Sequence, residues 1–228
     1  MATGDFKRDP DPTCAPFEPL RCHTLLTECT FGLPVFRWPA PETVIADIGA
    51  WWRANAAAGR PSLLLAYALG KAQRILAGID PTIGPIIAHG AIEQINEVYR
   101  EAGVRLPPTR PMPATRARDD IAGALVLAPP AADGSPWMRR VAGASRAFAS
   151  GWMQIRANRR RRALDRGFVL SDHADWSRLL ATIQESGAGR ILLTHGYAAE
   201  MERFLRERGV AAEAVRAASG GEREKAEA

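Results

Sequence analysis

Carboxylates, imidazoles and hydroxyls that directly follow short apolar runs are the residues of this 228-residue chain that could do chemistry. LLTECTFG places Glu28 after one such run. FVLSDHADW places Ser171, Asp172, His173 and Asp175 after a second, and RILLTHG places Thr194 and His195 after a third. LLLAYALGKAQR sets Gly70 and Lys71 at the start of a helical pattern. In open α/β sheets, ligands collect beyond the carboxyl ends of the strands, so these are the positions to inspect. An acid, an Asp-His pair and a histidine at three strand ends, with Asp5 after a glycine near the start, offer the oxygen and imidazole donors that divalent metals take. A carboxylate that bonds the second ring nitrogen of a histidine is the usual support behind such a centre. A helix N-terminus beside a lysine suits a phosphate group. Each feature also has a plain structural reading: His195 as a packing or hydrogen-bonding residue, Gly70 as a close-packing point, Lys71 as a solvated cation.

The elements that must position these residues follow from periodicity. The apolar runs 24–27, 62–66, 85–88, 124–127, 146–149, 168–170, 190–194 and 210–215 are mostly four to six residues long and read as buried parallel strands. Helical spacing appears over 41–58, 70–79, 91–102, 176–186 and 198–208, the last ending at Gly209. Strand and helix in alternation predict an α/β architecture with a mainly parallel sheet. LPPTRPMPATRARDD, at 106–120, has four prolines and no periodicity, which predicts a surface loop with an arginine rim. The segment 155–166 carries Arg156, Arg159, Arg160, Arg161, Arg162 and Arg166, and on a helix part of that set must face solvent. The polar tail SGGEREKAEA predicts disorder.

Composition bounds the function. With 46% hydrophobic and 24% charged residues, the chain can bury a core and is not disordered as a whole. No run of 18 apolar residues occurs and the N-terminus is charged and broken by prolines, which argues against a membrane span and a signal peptide. Three cysteines without a C-x-x-C pair predict reduced thiols in a cytoplasmic protein rather than a disulfide framework or zinc knuckle. A net charge of +5 fits a polyanionic partner. The excess is nearly all arginine, 27 against 3 lysines, a bias that a GC-rich coding sequence also produces. Trp51, Trp52, Trp137 and Trp176 are candidates for base stacking and, equally, for core packing. His89, in IIAHG, is a further candidate for substrate contact.

Six motifs in order carry a resemblance: GDFKRD (4–9), TECTFG (27–32), YALGKAQ (67–73), FASGWM (148–153), SDHADW (171–176) and THG (194–196). Together they resemble metallo-β-lactamase-fold nucleases with a β-CASP insertion, most of all the ligase-associated DNA exonucleases. The resemblance implies a β-CASP domain with a partial metallo-β-lactamase αββα fold: a remnant at residues 1–38, the β-CASP domain at 39–166, a C-terminal segment at 167–217 and a disordered tail at 218–228. It implies zinc as the cofactor, two ions about 3.5–4 Å apart that hold a hydroxide for attack on phosphorus. Asp5 matches the bridging metal ligand and His195 a second ligand. Glu28 matches the acid that orients His173, and His173 matches the proton donor to the leaving oxygen. Gly70, Lys71, Ser150 and Ser171 fall at phosphate or nucleic-acid contacts. The implied partners are DNA and an ATP-dependent DNA ligase.

Relatives in that family also carry an H-x-H-x-D-H motif and a later A-G-H before the G-D motif, and this chain has neither. The expectation is therefore a C-terminal portion of a zinc-dependent exonuclease, inactive alone and weak in metal binding, because two ligands fall short of the three or four that zinc sites use. RNA is the alternative substrate within the same fold. A non-catalytic nucleic-acid-binding module is the alternative from another class.

Overall fold

Continuous apolar runs become parallel strands in the computed structural model, which describes residues 1–113, 118–161 and 163–215. Among the described residues these are β1 (Thr24–Glu28), β2 (Ser62–Leu65), β3 (Ile86–Ala88), β4 (Leu125–Ala128), β5 (Ser145–Ala149), β6 (Arg166–Phe168), β7 (Arg190–Thr194) and β8 (Ala212–Ala214). The helices are α1 (Pro41–Ala57), α2 (Lys71–Gly78), α3 (Gly90–Glu101), α4 (Arg156–Arg161), α5 (Trp176–Ser186) and α6 (Ala198–Arg206). The protein is thus α/β with parallel sheets. Local chemistry sets the helix ends. Pro41 opens α1, where its missing N–H costs nothing. Asp175 caps α5 by accepting from the Arg178 N–H, and His89 caps α3 by accepting from the Ala91 N–H. No described helix is long and apolar enough to cross a membrane. Arg162 and the polar tail lie outside the described residues.

Two units divide the chain. One comprises Asp11–Ala15 and Pro39–Leu170 and is built on a five-stranded sheet in the order β3-β4-β2-β5-β6. Every residue of β2 and β4 is buried, as central parallel strands require. One face packs Val44, Ile48, Trp51 and Trp52 of α1 and Ala72, Ile75 and Leu76 of α2 against Leu64, Leu125 and Leu127. The other packs Ile121, Met138, Val141 and Met153 against Leu63, Leu65, Val126 and Phe148. Each fully buried leucine contributes about 1.5–3 kcal/mol. The compact unit runs to Leu170, because β6 pairs with β5 and Phe168 packs edge-on to Trp51. Segment 11–15 belongs here as well, held by the buried pair Asp11–Arg74, 3.7 Å apart.

The other unit comprises Met1–Pro10, Pro16–Trp38 and the chain from Ser171 on. Its sheet runs β1-β7-β8, with a further parallel bridge from Ala2 to Leu26. Leu25, Ile191, Leu193 and Ala212 face a core closed by Trp176, Leu179 and Ile183 of α5 and Met201 and Leu205 of α6. Leu26 and Leu192, on the alternate positions, are half-buried.

Candidate functional site

The register of β1 against β7 sets the site in the unit with the three-stranded sheet. Glu28 pairs with Thr194, so the carboxyl ends of two adjacent parallel strands deliver Glu28 and the Thr194-His195-Gly196 turn side by side. The turn is stitched to β1. The Cys29 N–H donates to the Thr194 carbonyl at 2.8 Å, and the Cys29 carbonyl accepts from both Tyr197 N–H and Gly32 N–H. His195 sits at φ +63 and Gly196 at φ +52, two consecutive left-handed residues. For a histidine this conformation costs about 1–2 kcal/mol, a strain that clusters at functional turns.

Glu28 is 1% exposed. Its Oε1 accepts from the Phe6 N–H at 3.0 Å, and its Oε2 accepts from His173 Nδ1 at 2.8 Å. A carboxylate acceptor fixes Nδ1 as the protonated nitrogen and assigns proton exchange to Nε2. The imidazole is held from several sides. Ser171 Oγ accepts from the His173 N–H, Trp38 Nε1 donates to the His173 carbonyl, and Phe31 packs edge-on to the ring at 5.8 Å. Asp5 completes the group: one ligand atom each of Asp5, Glu28 and His173 lie within 4.8 Å of one another. Among the described residues His195 is not part of that trio. Cys29 cannot serve as a nucleophile, because burial and then the neighbouring Glu28 charge push its thiol up to about 12.

In the other unit, Gly70, Lys71 and Ser150 follow the adjacent strands β2 and β5 and so share one edge of the five-stranded sheet. Gly70, at φ +81 and ψ −67, is the centre of a tight turn in which the Lys71 N–H donates to the Leu69 carbonyl. A side chain at that φ would be strained, so glycine is required there. The turn is locked from below: Gln73 Oε1 accepts from the Gly70 N–H, Gln73 Nε2 donates to Asn96, and Asn96 donates to Glu93. The Lys71 side chain is buried, with its ammonium 4.7 Å from the centre of the Tyr67 ring. Ser150 and Ser171 are also buried, each accepting from a backbone N–H two residues on, Trp152 and His173 respectively. The roles of Phe6, Trp38, Cys29 and Asn96 were not legible in the sequence, because they act through backbone groups or across long separations.

Glu93 anchors that network and gives it a pH dependence. Burial pushes its carboxyl up, but hydrogen bonds from Thr109, Arg100 and Asn96 and the Arg100 charge outweigh this and hold it below the usual value. With the folded value depressed, the network's contribution is complete above the ordinary carboxylate range and is lost as pH falls through the folded value. The denaturant midpoint of the wild type should therefore fall on acidification to about pH 3 more steeply than that of Glu93→Gln, which has no carboxyl to titrate. Parallel profiles would show that Glu93 does not govern this transition.

Two parallel α/β sheets with polar groups at their carboxyl edges define the class of architecture. No family model matches the chain. It is similar to a probable DNA ligase of Opitutus terrae, 32% identical over 219 residues, a match covering 94% of this chain and 21% of that protein. The chain thus spans about a fifth of the length of the curated relative it matches.

Proposed function

We propose that this chain acts on DNA and carries the proton-donating part of a metal-dependent phosphodiester hydrolase, as the exonuclease resemblance implies. The observation that carries the reading is the buried Glu28 carboxylate bonded to His173 Nδ1 at 2.8 Å beside Asp5. The similarity to a probable DNA ligase supports DNA as the substrate and a ligase as a functional partner. In this reading Glu28 fixes the tautomer and orientation of His173 and stabilises its cationic form. His173 Nε2–H protonates the departing sugar oxygen. Gly70 and Lys71 position backbone phosphate, while Ser150 and Ser171 shape the turns around Trp152 and His173.

Zinc suits the donor chemistry here but not the donor number. Among the described residues Asp5, Glu28 and His173 offer ligand atoms close together, both Glu28 oxygens already accept a hydrogen bond, and the ligands that the resemblance assigns are Asp5 and His195. If His173 serves as the proton donor, the two assigned ligands are fewer than a zinc site uses. The chain alone should accordingly retain well under one equivalent of zinc after dialysis. The function is tested on linear DNA, with zinc or manganese, using both this chain and the longest polypeptide its gene encodes. Metal-dependent release of nucleotides is expected from a polypeptide whose ligand set is complete. Salt-sensitive DNA binding without cleavage by either form would favour the non-catalytic binding module instead.

A further inference from the structure

Of the four tryptophans that stood as candidates for base stacking, three are core residues. Trp51 and Trp52 are buried with their indole N–H groups bonded to Ser145 Oγ and the Gly123 carbonyl, and Trp176 is buried against Phe204. Trp137 differs, because it is only partly buried, at the margin of the core that Met138 and Val141 enter. Met138 and Val141, from the same turn, are buried and face the sheet. The indole packs perpendicular to His89, with ring centres 4.8 Å apart and planes at 71°.

His89 directly follows β3, at the carboxyl edge of the five-stranded sheet. Its Nδ1 accepts from the Ala91 N–H at 3.2 Å, which places the ring proton on Nε2. Burial lowers the pKa of the imidazole, favouring the neutral form. The backbone fixes the ring's position as well, since the His89 N–H donates to the Leu127 carbonyl. One exposed arginine adjoins each ring through the backbone, and the Arg110 guanidinium also donates to the Asp120 carbonyl. Arg110 is bridged to β3 through the Arg110 N–H to Ile86 and the Ala88 N–H to Arg110, and Arg139 lies two residues beyond Trp137. An aromatic ring braced by its neighbour, with arginines on adjoining segments, is an arrangement by which proteins hold unpaired nucleic acid: bases stack on the ring and phosphates meet the cations.

We propose that the His89–Trp137 pair is a stacking platform for an unpaired base of a DNA strand, with Arg110 and Arg139 meeting the adjacent phosphates. The proposal rests on the DNA reading above and adds to it a preference for single-stranded ends. The imidazole Nε2–H supplies a donor for a base edge, and a neutral ring suits that role because it carries no charge to desolvate.

The test uses the full chain and fluorescence anisotropy with a labelled single-stranded oligonucleotide and a blunt duplex of equal length. Wild type should bind the single strand more tightly. Trp137→Ala should weaken single-strand binding about tenfold or more while changing duplex binding little, and Trp137→Phe should keep most of the affinity. Arg110→Gln and Arg139→Gln should each lower the slope of log affinity against log salt by about 0.7, the value for one phosphate on a single strand. Circular dichroism and thermal melting check that Trp137→Ala is folded; if it is not, Trp137→Leu, which keeps apolar bulk without an aromatic face, supplies the readout and should lose as much single-strand affinity. If wild type binds both DNAs and the folded variant without an aromatic ring binds the single strand as tightly as wild type, the platform is overturned and the DNA reading stands. If wild type binds neither DNA, both fall.

Discussion

His173→Ala, made in the longest polypeptide that contains this chain, is expected to lower hydrolysis of DNA by about 10²–10⁴-fold, the usual worth of a positioned general acid. The loss should depend on the leaving group. A DNA sugar oxygen departs poorly unless protonated, whereas a p-nitrophenolate departs readily as the anion. Against a p-nitrophenyl phosphodiester of thymidine, the same variant should therefore lose only about tenfold or less. Metal content should stay near the wild-type value, because the side chain is assigned to proton transfer and not to ligation. Equal losses on the two substrates, or a parallel loss of metal, would reassign His173 as a ligand. Glu28→Gln tests the orienting acid. Its amide can still accept from the Phe6 N–H, but the Oε2 that accepts from His173 Nδ1 is lost or becomes an N–H facing a donor. Activity on DNA should fall while the activated ester is spared, as for His173→Ala. Glu28→Ala is the less informative variant, since removing one partner of a buried ionic pair costs about 3–5 kcal/mol of stability and confounds the rate with folding.

Much of this arrangement was legible in the sequence because it depends on local patterns. The eight apolar runs and five helical segments match elements whose bounds differ by a few residues, since a buried parallel strand is apolar throughout and a capped helix announces its ends. The juxtaposition of Glu28 with His173 was legible only through the ordered motifs, as 145 residues separate them and no periodicity connects such distant positions. Lys71 shows the opposite limit. Its neighbours suggest a phosphate contact or a solvated cation, and neither pattern announces that its side chain packs over Tyr67, a placement set by tertiary packing. The end of the five-stranded unit was similarly hidden. FVL reads as a strand in either unit, and it is the pairing of β6 with β5 that assigns it. Asn96 and Trp38 carried no signal, because an amide bonding a glutamine on the next helix and an indole bonding a main-chain carbonyl look like any other asparagine or tryptophan in a sequence.

Among the described glycines, Gly196→Ala should be the most damaging change to alanine. A Cβ there would collide with the carbonyl oxygen of Cys29 and the Cα of Thr30 and would come within 2.8 Å of the Thr30 carbonyl oxygen. These are backbone atoms, and the Cys29 carbonyl already accepts from Gly32 and Tyr197, so relief requires separating the ends of β1 and β7. Overpacking of this kind costs about 3 kcal/mol or more once no side chain can move aside. The melting temperature should then fall by roughly 6–12 °C, taking about 2–4 °C per kcal/mol for a chain of this size. His195→Gly is the matching control, because glycine adopts φ +63 without strain and the relief roughly offsets the added freedom of the unfolded chain. It should melt within a few degrees of wild type while, in the longer polypeptide, reducing the metal retained. A Gly196→Ala variant as stable as wild type would mean that the Thr194-His195-Gly196 turn is not clamped against β1, and the placement of His195 beside Glu28 would lose its physical basis.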